Sequence, residues 1–321
     1  MPQWSIVLPV HSSAATVGIA IDSALAQTSE DFELLVVGDG CDAETRAVVQ
    51  SYTDPRIRFT DNPKAEGFGY LHRRAAIERA GGDYVAFLSD DDLWAPSHLV
   101  DLGALLDLGH AFVYSIPIWC VPTGELVPVA FNLKDAAAAD RFRESNYVPS
   151  VFCAATRGAI AAAGGWPTDV PAFADWHLWR RILTLPGSTV GLSRNASALH
   201  FRARRRNSDH PAVDEILRVE GRERWWPRAA GVDPGTAATL QSAVAAVATT
   251  EWWSSLGEAV STIFDHRAFD SVTLAAQLEI AALAEDLANT QNELAALRSS
   301  RSWRITRPLR AIRSRLPQDT G

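Results

Sequence analysis

Three consecutive carboxylates, Asp90-Asp91-Asp92, follow the apolar run Tyr84-Val-Ala-Phe-Leu88 and Ser89. Adjacent carboxylates repel one another, so the cluster costs stability unless a cation or a hydrogen-bond donor offsets its charge. Hard divalent ions favour such oxygens and often keep a phosphate as a further ligand. Metal-held phosphate is therefore one chemistry open to this run; an acidic turn capping the next helix is the plainer alternative. Asp39 occupies a comparable place after Leu34-Leu-Val-Val37, and the flanking Gly38 and Gly40 would let a ligand approach the backbone. Asp175 opens the segment Asp175-Trp-His-Leu-Trp-Arg-Arg181, where a carboxylate could act as a base or simply favour a helix start.

The elements that must position these residues alternate along the first half of the chain. Ile6–Val10, Phe32–Val37, Arg56–Phe59, Tyr84–Leu88 and Ala111–Ser115 read as buried strands. Between them, 14–26, 43–52, 69–80 and 96–108 have helical spacing. This order predicts βαβ units in an α/β fold with a mostly parallel sheet, covered by helices on both faces. Ligands of such sheets bind beyond the carboxyl ends of the strands, where Asp39 and Asp90–Asp92 fall. From Trp119 to Ser150 the pattern weakens to a hairpin around Pro122-Thr-Gly124, after which 156–163 and 172–183 read as helices and 189–199 as strand or loop.

The C-terminal part differs in character. Beyond residue 208 the chain reads as helical, with an extension over 209–270. Within 271–297, Ile280, Leu283, Leu287, Thr290, Leu294 and Leu297 occupy heptad positions, which suit either a dimerising coiled coil or a helix docked on its own core. The tail, 298–321, holds seven arginines and no acid between Arg298 and Arg315, interleaved with Trp303, Ile305, Leu309 and Ile312. It suits an anionic membrane surface, or is a solvated basic tail. A net charge of −8 argues against nucleic acid as a partner. Cys41, Cys120 and Cys153 lack metal-ligand spacing and read as reduced thiols. With no leader and no apolar stretch long enough to span a bilayer, the expected setting is cytoplasmic, or peripheral on the inner membrane face.

Taken together, these residues resemble the inverting family-2 glycosyltransferases of the GT-A fold. Ser5-Ile-Val-Leu-Pro-Val10, Ala20–Thr28 with Asp31–Gly40, and Arg73–Ile77 before Ala80–Leu88 and the aspartates carry the likeness. Gly164-Gly-Trp166 and Ala174-Asp-Trp-His-Leu-Trp179 extend it, so that it covers residues 4–205, a GT-A catalytic domain of 1–208. The resemblance implies a nucleoside-diphosphate sugar donor held by Pro9, Val10, Asp39, Arg73 and Asp90, with Arg202 and Arg204 near its diphosphate. It implies Mn²⁺ or Mg²⁺ as cofactor at Asp91, Asp92 and His200, without saying which aspartate binds directly. Asp175 becomes the general base toward a glycan or lipid-linked acceptor, in bacterial cell-surface glycan synthesis. Ser89, Ala174 and Arg204 depart from the pattern, standing where aspartate, glutamate and histidine are frequent. A nucleotide-sugar binding or scaffold protein without catalysis is the alternative; an oxidoreductase reading lacks the glycine fingerprint of dinucleotide binding.

Overall fold

Strands β1 (Trp4–Val10) and β2 (Phe32–Asp39) are buried almost throughout, as expected of a sheet covered on both faces. The computed structural model describes residues 2–120, 126–129, 131–144, 146–201 and 237–266. Arg202, Arg204, the heptad segment 271–297 and the basic tail 298–321 lie outside the described residues. β3 (Ile57–Asn62), β4 (Tyr84–Phe87), β6 (Phe112–Ser115), β9 (Cys153–Thr156) and β10 (Val190–Ser193) complete a seven-stranded sheet, ordered β10-β6-β9-β4-β1-β2-β3. β1 pairs in parallel with β2 and β4, β2 with β3, and β6 with β10. β9 runs antiparallel between β4 and β6, so the sheet is mixed and mostly parallel.

Register decides where the chemistry can lie. Val10 pairs with Gly38 and Val7 with Phe87, so β1, β2 and β4 finish along one edge. Asp39 and the aspartate run leave the sheet there. Helices α1 (Val17–Leu25), α2 (Ala43–Gln50), α3 (Tyr70–Glu78) and α4 (His98–Asp107) fall within the predicted helical stretches, with frayed ends trimmed. Asp42 caps α2 by accepting from Thr45 N at 2.7 Å.

A second sheet, of four strands, is absent from the sequence reading. It comprises β5 (Leu93–Trp94), β7 (Ile118–Cys120), β8 (Leu126–Pro128) and β11 (Ala198–Phe201), in the order β5-β11-β7-β8. The stretch 189–199 thus splits between two sheets, and the hairpin expected around Pro122 is the antiparallel pair β7–β8. Helix α5 (Ala136–Glu144) also lies in the stretch where the sequence pattern is weak, although Asp135 caps it by accepting from Ala138 N at 3.1 Å. α6 (Arg157–Ala162) and α7 (Ala174–Leu183) follow.

Further along the chain, α8 (Ala237–Val247) and α9 (Thr250–His266) pack on this second sheet. Leu240, Val244, Trp253, Leu256 and Val260 close one buried cluster with Leu93, Ile118, Leu126, Leu199 and Phe201. The helices are thus part of the folded unit that carries the aspartates. Among the described residues no helix is long and apolar enough to cross a membrane, and all three cysteines are buried and unbonded.

A chain cut after residue 208 should therefore expose apolar surface, each large side chain having been worth about 1.5–3 kcal/mol of burial. We expect stability lower by at least about 3 kcal/mol, together with binding of a hydrophobic dye. An unchanged denaturation midpoint would mean that α8 and α9 are not integral to the fold.

Candidate active site

At the carboxyl edge of the large sheet, Pro9, Val10, Asp39, Arg73, Asp90 and Asp91 line one cleft of about 300 Å³. Lys64, Phe68 and Trp166 form further parts of its wall. Every described residue assigned to the donor by resemblance therefore meets in a single cavity.

Asp39 sits where β2 ends. Its Oδ1 accepts from Ala65 N at 2.7 Å and lies 3.6 Å from His72 Nε2, while Oδ2 is ion-paired with Lys64. Burial works to raise its pKa, but the Ala65 amide, Lys64 and His72 outweigh that and hold it below the ordinary carboxylate value. The glycines beside it serve the protein more than a ligand. A side chain on Gly40 would meet Lys64 Cβ at 2.7 Å, and one on Gly38 would meet Cys41 Sγ at 3.1 Å. Gly69, at φ +69°, is the glycine that faces the carboxylate: a Cβ there would lie 2.8 Å from Asp39 Cγ. Lys64, His72 and Gly69 escaped the sequence reading because their relation to Asp39 depends on the loop between β3 and α3.

Arg73 is the cation at the centre. It reaches the Phe68 carbonyl through Nη2 at 3.2 Å and stands over the rings of Tyr70 and Trp166 at 5.6 and 5.7 Å. Its Nε is buried without a partner. Burial lowers its pKa, while Asp175, Tyr70, Asp90 and Asp39 act to restore it. A guanidinium with an unused donor, facing the cleft, is suited to a phosphate oxygen.

The three aspartates have different surroundings. Asp92 is fully buried: Oδ1 accepts from His200 Nδ1 at 2.9 Å and from Phe201 N at 3.0 Å, and Oδ2 lies 3.2 Å from the same imidazole nitrogen. Gln241 of α8, itself buried, donates to the Asp92 carbonyl at 2.9 Å. Asp90 and Asp91 instead line the cleft. Burial, then the charges of Asp92 and Asp90, push Asp91 up to about 8, against a partial offset from His200. Asp90 is likewise raised by burial, with Asp92 adding to this and Arg73 opposing it. Among the described residues no group of three or more His, Cys, Asp or Glu side chains is arranged to hold a metal ion. The trio Asp91, Asp92 and His200 is thus not gathered into one ligand set.

Asp175 does not line the cleft, but Arg73 and Ser150, which do, both act on its carboxylate. It lies in the first turn of α7 and accepts from Asn146 Nδ2 at 3.3 Å. Burial raises its pKa above the ordinary carboxylate value, opposed by the Trp176 amide, Arg73, Asn146 and the Ser150 amide. Phe68 and Phe173, which precede α3 and α7, are the two non-glycine residues with positive φ among those described, at 57° and 54°. Both rings are about half exposed, at 51% and 53%. Strained backbone of this kind gathers at functional sites and costs on the order of 1–3 kcal/mol.

Comparison with known proteins extends this geometry. Residues 5–160 match the family model described as Glycosyl transferase family 2. UDP-Glc:alpha-D-GlcNAc-diphosphoundecaprenol beta-1,3-glucosyltransferase WfgD of Escherichia coli is 33% identical over 111 residues, covering 34% of this chain and 44% of that protein. Succinoglycan biosynthesis protein ExoO of Rhizobium meliloti is 38% identical over 100 residues, 31% of this chain and 28% of that protein. The chain therefore spans less than half the length of these curated relatives. Among solved structures, S. aureus TarS 1-349 in complex with UDP-GlcNAc gives a TM-score of 0.54 at 17% identity, over 68% of this chain and 66% of that one. The likeness to TarS is one of fold, the GT-A α/β arrangement.

Replacing Asp92 by alanine should cost about 1–3 kcal/mol, because it leaves the buried Phe201 amide without its acceptor. Asp91→Ala should leave stability unchanged or raise it, since it removes a carboxyl whose ionisation the fold opposes. Denaturant titration of both variants at neutral pH reads the difference; equal losses would contradict the division between a structural Asp92 and a cleft-facing Asp91.

Proposed function

This chain carries a family-2 glycosyltransferase domain over residues 5–160, and on that premise we propose that it transfers a sugar from a nucleoside-diphosphate sugar to an acceptor hydroxyl with inversion. The observation that carries the proposal is the meeting of Asp39, Arg73, Asp90 and Asp91 in one cleft, with Asp175 acted on by two of the cleft's lining residues. The names of WfgD and ExoO support bacterial cell-surface glycan synthesis as the setting, with a lipid-linked or glycan acceptor.

In this reading the nucleoside lies against Pro9, Val10 and Asp39, Asp90 approaches the ribose, and Arg73 turns its guanidinium to the diphosphate. The acceptor oxygen attacks the anomeric carbon as the bond from that carbon to the diphosphate oxygen breaks. Asp175 takes the acceptor's proton, and the departing nucleoside diphosphate keeps the bonding electron pair. A single displacement inverts the anomeric centre. A raised pKa suits Asp175 to this role, since a stronger base removes a hydroxyl proton more readily.

Asp91 is assigned as the carboxylate that holds Mn²⁺ or Mg²⁺. The charge stacked beside it fits a hard cation, and such ions accept few protein ligands when phosphate oxygens complete the shell. Asp92 would act indirectly, through its hydrogen bond to His200. When bound, the ion would supply Lewis-acid stabilisation of the charge on the leaving diphosphate.

Asp175→Asn should leave donor binding intact and cut turnover by about 10²–10⁴-fold; wild-type turnover in that variant would remove Asp175 from the mechanism. In the parent enzyme the acid limb of the turnover profile should fall above the ordinary carboxylate pKa of about 4, because burial raises that of the base. Mn²⁺ should raise the melting temperature of the parent chain and tighten nucleotide-sugar binding. If both responses persist undiminished in Asp91→Asn, the metal assignment is wrong.

A further inference from the structure

A cavity of about 860 Å³, larger than the donor cleft, opens between α5, α7 and β10 and is used by nothing described so far. Lys134, Arg143, Arg180 and Arg181 line it together with His110 and His177, and among the described residues no aspartate or glutamate does. Two of these cations have partners: Arg143 pairs with Asp140, and Arg181 lies 3.3 Å from Asp169. Arg180 stands 4.7 Å from the centre of the Trp176 ring, and neither it nor Lys134 has a carboxylate within ion-pair distance among the described residues. Ser188 Oγ, also on the lining, is buried without a partner.

The field in this cavity is positive. Burial lowers the pKa of both histidines, and Lys134 lowers that of His110 further, as Arg180 and Arg181 do for His177. Gathering cations against one another costs energy that an anion would recover. Phe142, Leu183 and Val190 add apolar wall beside the charges. The elements that build the cavity also hold the candidate base. Trp176 Nε1 donates to the Phe142 carbonyl at 2.6 Å, joining α7 to α5, and Asn146, just after α5, donates to Asp175. Arg180 stands five residues beyond Asp175 on the same helix, about 7–8 Å along its axis.

We propose that this basic cavity is a second anion site, separate from the donor cleft, which takes a phosphate or diphosphate group. The site does not rest on the glycosyl-transfer reading. Cations from two helices suit a phosphate or diphosphate, and the apolar wall suits a chain attached to it.

The test is calorimetric titration of the full chain, in metal-free buffer, with inorganic pyrophosphate and separately with a prenyl diphosphate in detergent micelles. Lys134→Gln/Arg180→Gln should weaken pyrophosphate binding by roughly tenfold or more, the worth of one or two charge-assisted hydrogen bonds. The charge-conserving pair Lys134→Arg/Arg180→Lys should retain most of it, which separates lost charge from lost fold. Arg73→Gln should remove any pyrophosphate binding at the donor cleft and leave in place the component that the Gln pair loses. Tighter binding of the prenyl compound, also lost in the Gln pair, would assign a lipid-borne phosphate; equal binding would assign a soluble phosphorylated ligand. Affinity that ignores the Gln pair, or that vanishes in Arg73→Gln, overturns the proposal. Nucleotide-sugar binding measured on the same proteins separates the two readings. Pyrophosphate at the cavity without any nucleotide-sugar binding would sink the glycosyl-transfer reading alone, and the reverse result would sink the cavity alone.

Discussion

Three carboxylates in a row at the end of a buried strand set the terms for everything around the cleft. Charge of one sign in a region poor in water must be paired, hydrogen-bonded or protonated, and each aspartate meets that demand differently. Asp92 turns inward and is satisfied by His200 and Phe201 of a strand from the second sheet. Asp90 shares the cleft with Arg73, which also feels Asp39 and Asp175. Asp91 is crowded by both neighbours, and burial with their charges pushes its pKa up to about 8. One carboxylate is spent on architecture so that its neighbours can face the cleft.

The same constraint explains why a small second sheet exists beside the large one. β5 is two residues long and follows the aspartates directly; its pairing with β11 brings His200 and Phe201 alongside Asp92. α8 then covers this sheet and adds Gln241 to the Asp92 carbonyl. The corner is built from residues drawn from three distant parts of the chain, and its rigidity comes from the apolar cluster that joins them.

How much of this is legible from residues alone follows from the range of each interaction. The positions of Asp39 and Asp90–Asp92 at strand ends are readable because an apolar run stops where a parallel strand must stop. Asp175 at a helix start is readable in the same local way. Lys64 and His72 beside Asp39 are not, because their approach depends on the turn into α3 with its left-handed Phe68 and Gly69. The separate task of Asp92 is hidden for a stronger reason: its partner His200 lies 108 residues away, and no local pattern records that pairing. Helix α5 was missed although Asp135 caps it, since its short alanine-rich run follows a stretch without periodicity.

The hydrogen bond from Gln241 to Asp92 spans 149 residues of sequence. Synthesis runs from the N-terminus, so strands β1 to β4 are complete long before their acidic corner can be closed. While the chain is still emerging, the aspartates stand at the end of a half-built sheet, without the helix that later holds their backbone. Order of manufacture and order of completion therefore differ here: the residues that line the cleft are among the early ones made, and a contact to their backbone waits for the C-terminal helices.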